Sequence, residues 1–183
     1  TITNNDVAPG LTVVKNVVND NGGNAVVGDF GIKLNGNGLT FGEGVLTEST
    51  STTTYTSNPD VSSNVSYTLT ELDVSGYEEG TWSCVDNTNE TSVSMPFSLN
   101  EGQSVTCTIT NNDIAPQLEL QKIVTYRSDL PESLRRSSDS WLLKAIGTSS
   151  TLSGNGFAKS DSTFKAGEYT LSEEGDLTGY EAS

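Results

Sequence analysis

The chain has 183 residues, 33% of them apolar and 7% aromatic, with a formal net charge of −15 and no histidine. Without imidazole there is no Ser-His-Asp or Cys-His catalysis and no histidine-ligated metal centre. A chain this acidic is repelled by nucleic acid and by anionic membrane surfaces, and none of its apolar runs approaches the length that inserts into a bilayer.

The chain opens on Thr1-Ile2-Thr3-Asn4-Asn5-Asp6, and the same six letters return at Thr108-Ile109-Thr110-Asn111-Asn112-Asp113. After each copy comes an alternating apolar run holding one lysine: Leu11-Thr12-Val13-Val14-Lys15, then Leu118-Glu119-Leu120-Gln121-Lys122. Both recurrences lie 107 residues on, which marks an internal repeat and a window on a tandem array. The opening lacks the charged-then-apolar pattern of a secretory leader, as expected of a mature or internal piece. Three segments are expected. Residues 1–6 are the final strand of a preceding repeat or a donated strand, 7–113 a complete unit, and 114–183 a second, truncated unit. Charge divides unevenly between them: residues 1–113 hold two lysines against fourteen acids, residues 114–183 seven bases against ten.

In the first unit Leu11 to Val18 reads as a strand, and Asp20-Asn21-Gly22-Gly23-Asn24 as a loop. Ala25 to Leu34 is expected to turn through Asn35-Gly36-Asn37-Gly38 into Leu39–Phe41. Thr47 to Thr56, rich in Ser and Thr, reads as an exposed edge strand. Ser66 to Glu71 is a strand ending before Ser75-Gly76-Tyr77; Gly80 to Val85, Ser92 to Leu99 and Gln103 to Thr110 follow. No stretch carries a 3.6 period, and many short strands in about a hundred residues predict an antiparallel β-sandwich of immunoglobulin-like type. In the second unit Leu152 to Phe157 echoes Leu34 to Leu39, and Tyr169-Thr170-Leu171-Ser172-Glu173 with Gly179-Tyr180 echoes Tyr67–Glu71 with Gly76-Tyr77. Arg127 to Asp139 is a charged loop or short helix. The fold class is therefore all-β, two tandem sandwiches with the second incomplete.

Cys84 and Cys107 are too few for a structural zinc site and too far apart for a redox Cys-x-x-Cys, which leaves a disulfide and an oxidising compartment. Closing that loop contributes roughly 3–4 kcal/mol on a chain-entropy basis. Side chains at i and i+2 share a face of a strand. Lys15 therefore falls with Leu11 and Val13, Glu71 with Tyr67 and Leu69, and Asn111 with Cys107 and Ile109. A lysine and a carboxylate turned toward a core are costly unless paired or neutralised.

At these residues the chain resembles the SpaA/CnaB-type prealbumin-like domains of bacterial surface proteins and pilins. Leu11–Lys15 is similar to that family's lysine strand, Tyr67-x-Leu69-x-Glu71 with Gly76-Tyr77 to its glutamate signature, and Thr108–Asn111 to its acceptor strand. The long Ser/Thr stretch before Tyr67 and the Cys84/Cys107 pair are departures from its pattern. The resemblance implies an isopeptide bond between Lys15 and Asn111, assisted by Glu71: neutral lysine attacks the carboxamide carbon, protonated Glu71 polarises the carbonyl, and ammonia leaves. This is single-turnover maturation, so no enzyme acting on outside substrates is expected. The bland alternative is a buried Lys15–Glu71 ion pair with Asn111 beside it. In the second unit Lys122 and Glu173 match the first two motifs, and Asn4 matches the acceptor of a unit whose lysine lies elsewhere. A cut array is favoured over strand donation between subunits, because six residues cannot replace the strands around the Trp82 equivalent.

No cofactor is expected. Calcium is a weak candidate at Asp6, Asp20 and Asp113, where Asn, Asp and Gly are explained equally by turn chemistry. The expected function is a structural repeat of an extracellular, cell-surface fibre, stalk or pilus-like filament, with other copies or neighbouring repeats as head-to-tail partners. The alternative is an adhesin recognising glycan or matrix through its Thr47–Ser63 and Arg127–Asp139 loops, with Trp141 the residue to test; the bland reading of Trp141 is a core tryptophan.

Overall fold

A computed structural model describes residues 1–175 and 178–180, and the chain divides into two compact units, Thr1–Ile114 and Ala115–Ser183. Residues 1–9 carry no strand, and residues 1–7 are exposed. The first strand, β1 (Gly10–Val18), alternates as its sequence dictates: Leu11, Val13, Lys15 and Val17 are buried and the residues between them half-buried. After the loop at Asn21–Asn24, Val27–Phe30 forms one turn of 3-10 helix, not a strand, and places Phe30 in the core. Two short strands, β2 (Lys33–Leu34) and β3 (Asn37–Gly38), meet across Asn35-Gly36. Both turn residues have positive φ, 49° and 82°, as a two-residue hairpin requires. The expected strand at Leu39–Phe41 is absent; the ladder ends at Gly38, two residues from the turn.

The Ser/Thr-rich stretch forms an edge. β4 (Val45–Thr47) is outermost and β5 (Thr52–Ser57) lies between it and β1. The run expected as one strand at Ser66–Glu71 is two, β6 (Ser66–Tyr67) and β7 (Leu69–Thr70), because its ladders go to different partners. Leu69 pairs with Leu34 in β2, and at Thr68 the side chain and backbone of Asn35 take over both backbone hydrogen bonds. The rest of the unit comprises β8 (Tyr77–Glu78), β9 (Ser83–Asp86), β10 (Ser92–Val93), β11 (Phe97–Ser98) and β12 (Ser104–Asp113). Tyr67 in β6 pairs with Phe97 in β11.

The larger sheet has the order β10-β9-β12-β1-β5-β4, with β8 also on β12. Its pairs are antiparallel except one: β1 and β12 run parallel in unbroken register from Gly10↔Ser104 to Val18↔Asn112. The inward residues Leu11, Val13, Val17, Val105 and Cys107 pack against Phe30, Ile32, Leu34, Tyr67, Leu69 and Phe97 in one core. Cys84 and Cys107 face each other across β9 and β12 and are disulfide-bonded.

The second unit opens with β13 (Glu119–Gln121), which pairs with β16 (Phe157–Lys159). Its other sheet is β14 (Trp141–Gly147) between β15 (Thr151–Asn155) and β17 (Tyr169–Gly175). The charged segment from Arg127 to Asp139 is a loop with single 3-10 turns at Glu132–Leu134 and Ser138–Ser140.

Register aligns the units. Leu34 pairs with Leu69, and Ala145 pairs with Leu171, so β14 corresponds to β2 and β17 to the Tyr67–Glu71 run. That alignment corrects the echo of Leu34–Leu39 in Leu152–Phe157. Leu34 stands before its hairpin turn, whereas Leu152 stands in β15, after the turn at residues 148–150. Repeated Asn-Gly letters mark any turn, and only the paired strand tells which.

Candidate functional site

Three strands aim three polar side chains at one point in unit 1. Lys15 points inward because it shares the parity of Leu11 and Val13 on β1, and Asn111 because it shares that of Cys107 and Ile109 on β12. Glu71 follows Leu69 by two residues, directly after the last residue of β7. Lys15 Nζ donates to Glu71 Oε2 at 2.6 Å and to Asn111 Oδ1 at 2.6 Å. Asn111 Nδ2 donates to Glu71 Oε1 at 2.8 Å, which closes the triangle. The side chains of Lys15 and Glu71 are fully buried, and Asn111 is nearly so.

Beneath the amine lies the ring of Phe30, its centroid 3.8 Å from Nζ. Burial pushes the Lys15 amine below the usual lysine range; the hydrogen bond and charge of Glu71, and then the charge of Glu79, pull it back up. Chemically, a lysine held toward its neutral form is a nucleophile, and here it lies in hydrogen-bond contact with a carboxamide. Glu71 touches both the amine and the amide nitrogen, so one carboxyl group can take a proton from the first and deliver one to the second.

Phe30 was missed in the sequence, although a signal for it exists. Tyr77 stands edge-on to Phe30 at 5.6 Å, and Tyr180 stands edge-on to Trp141 at 5.2 Å. Each tyrosine hydroxyl accepts the backbone N–H five residues before that aromatic, from Ala25 at 2.9 Å and from Arg136 at 3.1 Å. Gly76 and Gly179, which precede the tyrosines, have φ of 85° and 83°, so the Gly-Tyr pair is a left-handed turn that delivers a core ring. Trp141 is thus the counterpart of Phe30. It is 1% exposed, a core side chain, and not a loop residue open to a ligand.

Unit 2 carries the same pair in a different setting. Lys122 Nζ meets Glu173 Oε2 at 2.6 Å and stands 5.1 Å from the Trp141 ring, but the two side chains are 19% and 25% exposed. The indole N–H of Trp141 is buried and finds no acceptor among the described residues. Asn4 lies in the exposed opening segment of unit 1.

The Asp20–Asn24 loop does not offer a cation site. The Asp113 carboxylate accepts backbone N–H groups from Asn21 at 2.9 Å and Gly23 at 2.6 Å, so donors already surround it. A Cβ on Gly23 would stand 2.3 Å from the Tyr77 hydroxyl, which is why glycine occupies the closest approach. Asp6 and Asp20 are exposed, and no group of three or more metal-ligating side chains occurs among the described residues. No helix is long and apolar enough to cross a membrane among those residues.

A family model described as a prealbumin-like fold domain, SpaA_2, matches residues 6–109 and again residues 113–183. No curated protein and no solved structure matches the chain.

Proposed function

The chain belongs to the SpaA_2 prealbumin-like fold family, and on that premise we propose that it is a structural repeat of an extracellular fibre, stalk or pilus-like surface filament. In this reading unit 1 is made durable by an amide bond between Lys15 and Asn111 and by the Cys84–Cys107 disulfide. The observation that carries it is the sealed triangle of Lys15, Glu71 and Asn111 over the Phe30 ring. A buried ion pair alone is no gain to stability, since the cost of desolvating both charges offsets their attraction. A buried amine in contact with a carboxamide has a use when the two react.

The steps balance within the site. Neutral Lys15 Nζ adds to the Asn111 carboxamide carbon, Glu71 takes the proton that nitrogen sheds, and the carboxyl returns a proton to Nδ2. The C–N bond to Nδ2 breaks, ammonia departs, and the new amide has no charge left to bury. The test is intact mass after disulfide reduction. We expect a deficit of one ammonia, absent from Lys15→Ala and from Asn111→Ala, and a Lys15–Asn111 crosslinked peptide after proteolysis. A full calculated mass for the folded chain removes the bond from the proposal.

A further inference from the structure

The chain contains four Asn-Gly pairs: Asn21-Gly22, Asn35-Gly36, Asn37-Gly38 and Asn155-Gly156. Glycine leaves the backbone nitrogen that follows an asparagine unshielded, and such a nitrogen attacks the asparagine's own carboxamide when it is free and can reach it. The fold decides which pairs meet that condition.

Three of them are restrained, each in a different way. Asn21 is 7% exposed, and its backbone N–H is held by the Asp113 carboxylate at 2.9 Å. The Asn35 carboxamide is engaged twice, Nδ2 donating to Ser66 O at 2.8 Å and Oδ1 accepting from the Thr68 N–H at 2.8 Å. Asn155 is exposed, but the nitrogen that would attack it is not free. The Gly156 N–H donates to Trp141 O at 2.9 Å, and Gly156 is buried.

Asn37-Gly38 has none of these restraints. Both residues are exposed, and among the described residues the Asn37 side chain has no hydrogen-bond partner. The pair forms β3, the outer strand of the order β3-β2-β7. Bonded and non-bonded residue pairs alternate along an antiparallel ladder. The Leu39 N–H donates to Ile32 O, so the neighbouring pair of Lys33 with Gly38 is of the non-bonded kind, and the Gly38 N–H points off the free edge. Space around it is open: a Cβ on Gly38 would meet nothing within 4 Å. Turning the Asn37 backbone to bring that nitrogen to Cγ disturbs the end of a two-residue strand at its pairing with Leu34.

We propose that Asn37-Gly38 is a self-modification site, where unit 1 gives up a side-chain amide to its own backbone and takes up water, while the fold keeps the other three pairs intact. The Gly38 nitrogen bonds to Cγ of Asn37, the Cγ–Nδ2 bond breaks, and ammonia leaves with the proton that the Gly38 nitrogen gives up. Solvent water then opens the succinimide ring at one carbonyl or the other, leaving aspartate or isoaspartate at position 37. No enzyme or oxidant takes part. In isoaspartate the main chain runs through Cγ and is one methylene longer, which shifts β3 against β2. The change stays in the hairpin, because β2 keeps β7 on its other side and Leu34 keeps its pairing with Leu69. In a long-lived surface fibre the converted fraction dates the unit. The reaction is independent of the Lys15–Asn111 bond, and its mass signature has the opposite sign: ammonia is replaced by water, not simply lost.

The test incubates the whole folded chain in mildly alkaline buffer made with heavy-oxygen water. Peptides are then mapped by mass spectrometry with fragmentation that separates aspartate from isoaspartate. The expected result is heavy oxygen at position 37, as a mixture of the two products, at least about tenfold faster than at Asn21, Asn35 or Asn155, a barrier difference of about 1.4 kcal/mol. In urea the four pairs should converge to similar rates, which shows that the fold supplies the selectivity. Gly38→Ala, for which the space is open, should slow the reaction at Asn37 while the hairpin persists. No labelling at position 37, faster labelling at any of the other three, the same pattern folded and unfolded, or aspartate without isoaspartate overturns the proposal.

Discussion

Unit 1 and unit 2 hold the same lysine–glutamate contact at the same 2.6 Å, over an aromatic ring pinned edge-on by a Gly-Tyr tyrosine in both. They differ in what covers it. In unit 1 β12 lies along β1 and the pair is sealed; in unit 2 the described residues leave both side chains about a fifth to a quarter exposed. An ion pair that keeps water around it is worth little, whereas a sealed pair that loses one partner leaves a stranded charge. Distance alone therefore does not distinguish the two sites. The neighbouring strand does.

The sharpest way to break this comparison is to remove the carboxylate from each unit. Glu71→Ala leaves Lys15 buried without a counter-charge and should destabilise unit 1 by about 3–5 kcal/mol. Hydrogen exchange read by mass spectrometry on peptides from β1 and β12 should show it as lost protection, with unit 2 unchanged. Next in size is the disulfide, which spans a sequence separation of 23. Replacing Cys84 and Cys107 together by alanine should cost unit 1 roughly 3–4 kcal/mol in urea unfolding.

The third test concerns pH. Burial lowers the proton affinity of Lys15 in the folded unit, so its reactive neutral form gains population as pH rises, toward a midpoint below the 10.5 of an ordinary lysine. Bond formation in freshly refolded protein, followed by intact mass, should accelerate about tenfold per pH unit well below that midpoint. In Asn111→Ala, where no bond forms, the folded unit binds fewer protons than the unfolded chain between the lowered value and 10.5. Its stability should therefore increase with pH across that window. A rate or stability that falls there would contradict the direction of the shift. The smallest effect belongs to unit 2, where Glu173→Gln should cost about 1 kcal/mol or less. An equal loss from Glu71→Ala and Glu173→Gln would erase the difference between the units.

Much of this was legible in the letters because period-two alternation fixes side-chain direction. The alternation of Leu11 and Val13, and of Cys107 and Ile109, is enough to turn Lys15 and Asn111 inward. The repeated hexapeptide located β12, and the Tyr-x-Leu-x-Glu element located Glu71. What could not be read was set by partners distant in sequence. The break between β6 and β7 depends on where Leu34 and Phe97 lie, and the parallel pairing of β1 with β12 leaves no mark in either strand. Phe30 sits in a 3-10 turn with neither a strand nor an α-helical period, so nothing local assigned it to the site. For Trp141 the sequence leaves a binding residue beside the charged loop and a core tryptophan both open, because its equivalence to Phe30 emerges only from strand register.

The parallel run of β1 and β12 has a mechanical consequence. The chain enters unit 1 at the Gly10 end of β1 and leaves at the opposite end of the adjacent strand, past Asp113. Tension applied through the two ends of the unit therefore loads that ladder in shear along its whole length, not pair by pair as in unzipping. A covalent link from Lys15 to Asn111, which are 96 residues apart in sequence, would carry the load across the ladder directly. The segment between them, with nearly all of the hydrophobic core, would then lie outside the path of the pull.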